Sequence, residues 1–260
     1  MTYLEFLLRW LAPPLVLAAV VGGASRRRLA MPRTAFGALG VYTALAVAWT
    51  TPWDSWLIAN DVWRHGDVTA KALQVPVEEY LFMVGQSLLV GFVAIAVLAR
   101  LGPATVGGGS ARWVGGGGSG RWVGGVGWAA ASVTAWASHP LWPHGFYLTA
   151  IVGWFGPLLA LQWALGGDRL VAHARARWWA VALPTAYLWI ADLIAIRAGT
   201  WWINPERTLG LRPFGLPIEE AVFFLVTTML LVNGMVLALD ADMWRRARRW
   251  VRRPAVTADA

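Results

Sequence analysis

Seven apolar stretches, at roughly 3–23, 34–52, 76–98, 123–137, 146–165, 178–197 and 217–239, occupy most of the 260 residues. A hydrocarbon core of about 30 Å is crossed by about 20 helical residues rising 1.5 Å each, and six of the stretches are long enough. The fourth is short and rich in glycine and alanine. Charged residues make up only 14% of the chain and hydrophobic ones 58%. Soluble domains carry about 25% charge, so this chain lacks the polar surface to face water all round. The expected fold is an all-α polytopic membrane protein, which excludes a soluble enzyme. Cysteine is absent, which excludes disulfide frameworks, thiolate metal sites and cysteine nucleophiles. The first stretch precedes Arg26, Arg27 and Arg28 without a convincing cleavage site, so it is expected to remain in the mature protein.

Basic residues outnumber acidic ones by 22 to 14, and all but Lys71 are arginine. In a membrane chain such an excess speaks of topology and anionic lipid before nucleic acid. With the N-terminus outside, 16 basic residues fall on the cytoplasmic side, including Arg100, Arg169 and the tail from Arg245 to Arg253. Five fall in outer loops: Arg64, Lys71, Arg197, Arg207 and Arg212. That bias predicts seven helices, N-out and C-in, in the plasma membrane.

The chain also repeats itself. Tyr3-Leu4 with Pro13 matches Tyr147-Leu148 with Pro157; Asp54 nine residues before Trp63 matches Asp192 nine before Trp201. Pro76-Val77-Glu78-Glu79 matches Pro217-Ile218-Glu219-Glu220. The offsets of 144, 138 and 141 residues keep one order, as a duplicated three-helix unit would. Three helices repeated directly would be inverted in the membrane, and the short fourth helix restores the orientation. The expected organisation is a first repeat at 1–101, a Gly-rich linker and joining helix at 102–145, a second repeat at 146–241 and a basic tail at 242–260, the halves related by an axis along the membrane normal. Gly115, Gly117 and Gly120 formally satisfy GxGxxG. No strand precedes them, so a flexible linker is expected there rather than a nucleotide site.

Proline followed by glutamates is an ordinary helix start in a soluble protein. Here the helices are membrane spans, where carboxylates are rare and mark functional sites. Adjacent glutamates diverge by about 100°, so a dyad within one motif is not expected. Equivalent residues of the two repeats can instead meet across the pseudo-two-fold axis. In a dry pocket, desolvation and like-charge repulsion would keep at least one carboxyl protonated, making an intramembrane Brønsted acid. Glu78, Glu79, Glu219 and Glu220 are therefore the candidate acids. Phe82 and Phe223 follow them at helical spacing, with Phe224 beside Phe223, while Trp53, Trp56, Trp63, Trp201 and Trp202 flank the acidic loops. Most of the 19 tryptophans are read as interfacial anchors. Aromatic faces beside an acid stabilise cations that water cannot reach. Together these residues suggest carbocation chemistry on a polyene.

The paired P-[VI]-E-E motifs in a duplicated three-helix unit resemble the heterodimer-type lycopene cyclases of bacteria and archaea, in a fused form, and the cyclase domains of bifunctional fungal carotenoid proteins. The resemblance covers roughly 1–98 and 146–240. It implies a cofactor-independent, non-redox β-cyclase that acts on lycopene within the membrane, in possible association with other carotenoid enzymes. The acidic roles would carry over to Glu78, Glu79, Glu219 and Glu220, with Phe82, Phe223, Phe224, Trp63 and Trp201 around the substrate cation. Met83 against Phe224, and Tyr80 against Ala221, imply that the halves are not equivalent.

Asp54 and Asp192 are expected to support the acids or to share their chemistry. His65, His139, His144 and His173 show no metal spacing and read as loop or interfacial residues, so no metal is expected. Asn60-Asp61 with Asp67, against Asn204 and Glu206, faintly resembles a diphosphate site. A prenyltransferase or C50-type cyclase is therefore the alternative enzyme, and a proton-coupled transporter the alternative outside catalysis. Lys71 lies in a loop, which disfavours a retinal protein.

Overall fold

A computed structural model describes residues 1–102 and 119–251. Gly115 and Gly117 of the GxGxxG match, and the tail beyond 251, lie outside the described residues. The long helices are α1 (Tyr3–Arg28), α2 (Thr34–Ala59), α3 (Val77–Leu101), α4 (Ser119–Ser138), α5 (Phe146–Ala172), α6 (Ala174–Arg197) and α7 (Ile218–Leu239), followed by the short α8 (Ala241–Val251). Among the described residues, six are long and apolar enough to cross a membrane, α4 being the long helix that is not. The protein is a mostly helical polytopic membrane protein.

Two spans sit at the centre. The apolar windows of α3 and α7 are 72% and 67% buried, against 22% for α1 and 17% for α2. α3 packs on α1, α2, α6 and α7, and α7 packs on α2, α5 and α6. The outer helices turn Leu8, Val16, Leu17, Val20, Leu45, Leu183 and Ile190 outward, as lipid contact requires once every backbone polar group is satisfied within a helix.

Small residues set the close approaches. A Cβ on Gly22 of α1 would stand 2.6 Å from the backbone oxygen of Phe92 on α3. Gly22→Val is therefore expected to force these helices apart and destabilise the protein by about 1–3 kcal/mol, read as a lower melting temperature in detergent. Glycines expected in a linker do similar work. The joining helix begins at Ser119 rather than 123, and Gly120 lies in its first turn. Gly124 and Gly125 admit Trp163, Ala160 and Ala164 of α5 at contact distance. The glycine-rich sequence thus lets two helices approach closely.

A second difference concerns α2, expected to end at Pro52. The helix continues to Ala59, placing Trp53 and Asp54 in a span rather than beside a loop. Proline removes one hydrogen bond from the ladder. Neighbouring packing makes such a break tolerable in membrane helices, and the Thr51 hydroxyl donates to the Val47 carbonyl 2.7 Å away. Pro157 and Pro184 likewise lie inside α5 and α6.

At one end of the bundle the α2–α3 and α6–α7 connections meet as a two-stranded antiparallel sheet. β1 (Trp63–His65) pairs with the later strand Trp201–Ile203, with Arg64 opposite Trp202 at the middle. A separate hairpin, β2 (Lys71–Ala72) with β3 (Val75–Pro76), leads into α3; the Trp201–Ile203 strand is β4.

At the other end, Asp240 joins α7 to α8. Its carboxylate accepts from Arg169 Nε at 2.8 Å and lies 3.0 Å from His173 Nε2, while its other oxygen caps the amides of Asp242 and Met243. Burial opposes its charge, but the hydrogen bonds from His173 and Arg169 outweigh that and hold its pKa down at about 2. A lowered carboxylate pKa stabilises the fold above the ordinary value near 4 and ceases to do so as pH falls through about 2. Asp240→Asn should remove this acid-sensitive increment. The expected loss is about 1.5–3 kcal/mol at neutral pH, with a shallower fall of melting temperature below pH 4.

Candidate active site

The two PxEE motifs open α3 and α7 with the same backbone turn: Pro76 at φ −57°, ψ 145° and Pro217 at φ −55°, ψ 136°. Both glutamates of each motif lie in the first helical turn and all four are buried. Within each pair the roles separate. Glu78 Oε1 accepts the Thr69 amide at 2.7 Å, and Glu219 Oε1 accepts the Leu209 amide at 2.7 Å. These two side chains turn back to hold the loop before their helix. Glu79 and Glu220 face inward and line one small cavity with Asp192, Trp63, Trp201 and Phe224.

Asp54 on α2 and Asp192 on α6 complete the acidic group, each 1% exposed. Asp54 lies within electrostatic reach of Glu79 and Glu220, and Glu220 within reach of Asp192 and Glu79, so four carboxyls share the site. Among the residues lining the cavity, His65 is the single nitrogen base.

The halves differ in how these acids are bonded. In the first, the Tyr3 hydroxyl donates to Glu79 Oε2 at 2.6 Å, and His65 Nε2 stands 3.3 Å from the same oxygen. Tyr3 and His65 stack, with ring centres 5.8 Å apart and planes 9° from parallel. In the second, the Tyr147 hydroxyl faces the Glu220 carboxyl in the equivalent way, but more loosely, without a close hydrogen bond. The tryptophan pairs reverse that asymmetry. Trp201 Nε1 donates to Asp192 Oδ1 at 2.8 Å, whereas Trp63 Nε1 and both Asp54 oxygens lack partners among the described residues. Buried polar atoms are rarely left so.

Phe82, Phe223, Phe224, Trp63 and Trp201 line the small cavity with the acids. Phe223 stacks on Trp53 at 5.3 Å and 13°, with Trp63 at 6.0 Å and Phe155 at 6.1 Å. Phe82 contacts Trp201 and Phe224 at 6.2 and 6.1 Å. Trp56 and Trp202 do not join them. Trp56 packs on Trp136, His139 and Phe146, and Trp202 is exposed beneath Arg64.

Glu79, Phe82 and Phe223 also line a second cavity of about 580 Å³. It passes Met83, Ser87 and Val90 of α3 and Leu230 and Leu231 of α7, and reaches Met243 and Trp244 at the start of α8. Phe223 and Ala238 mark its extremes on α7, so it runs about 22 Å along that helix at 1.5 Å per residue. An apolar channel with Glu79 at one end can hold a hydrocarbon chain and present its terminus to a proton donor.

Three participants were not singled out from the sequence. Tyr3 and Tyr147 were visible as a repeat-matched pair, and that pairing was their signal. His65, read as a loop or interfacial histidine, has a side chain only 6% exposed and touches Glu79. The groups that suggested a diphosphate site are engaged elsewhere: Asp61 pairs with Arg64, and Asn204 Nδ2 donates to Asp61.

Residues 144–239 match the lycopene cyclase family. The chain is 39% identical to the lycopene β-cyclase of Halobacterium salinarum over 94% of its own length and 99% of that protein. It is 32% identical to the bifunctional lycopene cyclase/phytoene synthase of Arthroderma gypseum, over 76% of this chain and 35% of the fungal protein. The corresponding protein of Phaeosphaeria nodorum is 33% identical over 89% of this chain and 40% of its own. No solved structure matches. The chain belongs to the lycopene cyclase family.

Proposed function

We propose that this protein cyclises the ψ-ends of lycopene to β-rings by acid catalysis inside the membrane. The observation that carries the reading is the meeting of Glu79 and Glu220, one from each PxEE motif, at the aromatic-walled end of the long apolar cavity. A carboxylic acid protonates C-2 of the terminal double bond, leaving a tertiary cation at C-1. The C-5–C-6 double bond attacks C-1 and moves the charge to C-5. Loss of the C-6 proton to a carboxylate closes the β-ring, so the proton balance is zero. Phe82, Phe223, Phe224, Trp63 and Trp201 face the cationic intermediates, worth about 2 kcal/mol when no water competes. Four carboxyls in one dry site cannot all be ionised, so acid and base can coexist there.

The reading includes the topology. α1 to α3 and α5 to α7 form two parallel repeats, α4 returns the chain across the plasma membrane, and the N-terminus lies outside. The reciprocal packing of α3 on α6 and of α7 on α2 supports it, as does the antiparallel pairing of equivalent loop strands. Expression in bacteria that accumulate lycopene tests the function: γ- and β-carotene should appear in the pigment extract. Unchanged lycopene with the protein present in the membrane would refute it.

A further inference from the structure

We infer that His65 is the residue through which the buried acids exchange protons with water, a role that rests on the cyclase reading above. Each ring takes one proton at C-2 and returns one from C-6, but the carboxyl that receives the proton is not the one that gave it, so the acid must be recharged before the next ring. Asp54, Asp192 and Glu220 are at most 4% exposed, so fast recharging calls for a route out of the site. Of the residues lining the acidic cavity, His65 alone combines a nitrogen base with a position on the loop end of the bundle. Its Nε2 stands 3.3 Å from Glu79 Oε2, and its chain neighbours Arg64, Gly66 and Asp67 are exposed. Stacking on Tyr3 and strand pairing opposite Trp201 fix the ring in place.

The repeat sharpens the assignment. With the strands aligned by Trp63 and Trp201, the counterpart of His65 in the second half is Ile203, which cannot carry a proton. The second half therefore has an acid without a relay, and the first has an acid with one. The groups facing His65 are Tyr3 on α1, Glu78 and Glu79 on α3, and Trp201 on β4, with Asp192 and Glu220 across the cavity. The step is a proton transfer from Glu79 Oε2 to His65 Nε2, leaving a carboxylate and an imidazolium that gives its proton to water. The reverse sequence reloads the acid.

Isotope content separates this from a structural role. In D₂O the intact protein should place one deuterium on each new ring at C-2. His65→Gln keeps an amide donor near Glu79 but cannot relay a proton. The C-6 proton then returns to the acid only slowly, from carboxyl to carboxyl, before it is handed to the next substrate. Deuterium per ring should fall below half, with turnover at least tenfold slower. In His65→Ala, added imidazole should restore both rate and deuterium content. One deuterium per ring in His65→Gln would overturn the inference, as would inactivity of both variants that imidazole does not relieve. Failure of the intact protein to form any ring would instead overturn the cyclase reading.

Discussion

Glu79→Gln and Glu220→Gln are each expected to cut ring formation by about 10²–10⁴-fold, the usual contribution of a positioned general acid or base. Glu78→Gln and Glu219→Gln should stay within about tenfold of the parent. The contrast follows from direction rather than from residue type. Glutamine has nearly the volume of glutamate, so neither change opens a cavity. At 78 and 219 the needed property is a carbonyl-type oxygen that accepts a backbone amide from Thr69 or Leu209, which an amide side chain retains. At 79 and 220 the needed property is a transferable proton or a place to receive one, which an amide lacks. The two inward positions need not fall equally. Glu79 lines the long cavity and is bonded to Tyr3, whereas Glu220 lines only the small acidic cavity, beside Tyr147. Pigment conversion per amount of membrane protein measures all four, and a matching loss at Glu219 and Glu220 would sink the assignment.

The sequence made the membrane class, the pairing of the motifs and the aromatic wall legible because each depends on residue type at short range or on a repeat. Hydropathy reports lipid contact, and a 141-residue offset reports a copied unit. Which glutamate of each pair faces inward was not legible. Helical spacing says only that neighbours diverge, and the choice is made by loop amides at 69 and 209. Asp54 was placed beside the span rather than in it because the apolar stretch stops near residue 52, yet the helix carries on for seven residues to Ala59. His65 was read as a loop or interfacial histidine because it shows no metal spacing, and its repeat partner Ile203 offers no matched pair to point to it. The inner half of the cavity had no signature, since Ser87, Val90 and Leu231 are ordinary membrane-helix residues until the packing of α3 against α7 leaves space between them.

That space carries the other large effect. Ser87→Trp is expected to abolish conversion of lycopene, by 100-fold or more, while the acid site stays intact. Ser87 is buried and lines the long cavity two turns below Glu79 on the same helix. An indole there would fill the channel beside Met83 and Val90, so a hydrocarbon chain could no longer reach the carboxyls. Overpacking would cost about 1–3 kcal/mol at most if the ring found no room, and the open cavity beside Ser87 should keep the cost near the lower figure. The matched control is Val84→Trp. Val84 lies less than one turn away on α3 but is 37% exposed on the outer surface, where an indole meets lipid and should leave turnover within about twofold. Deuterium exchange at the protein's own buried amides around Glu79 should be unchanged in both, which separates a blocked channel from a damaged site. Equal activity of the two tryptophan variants would show that the substrate reaches the acids by another path, because position 87 faces the cavity and position 84 faces the lipid.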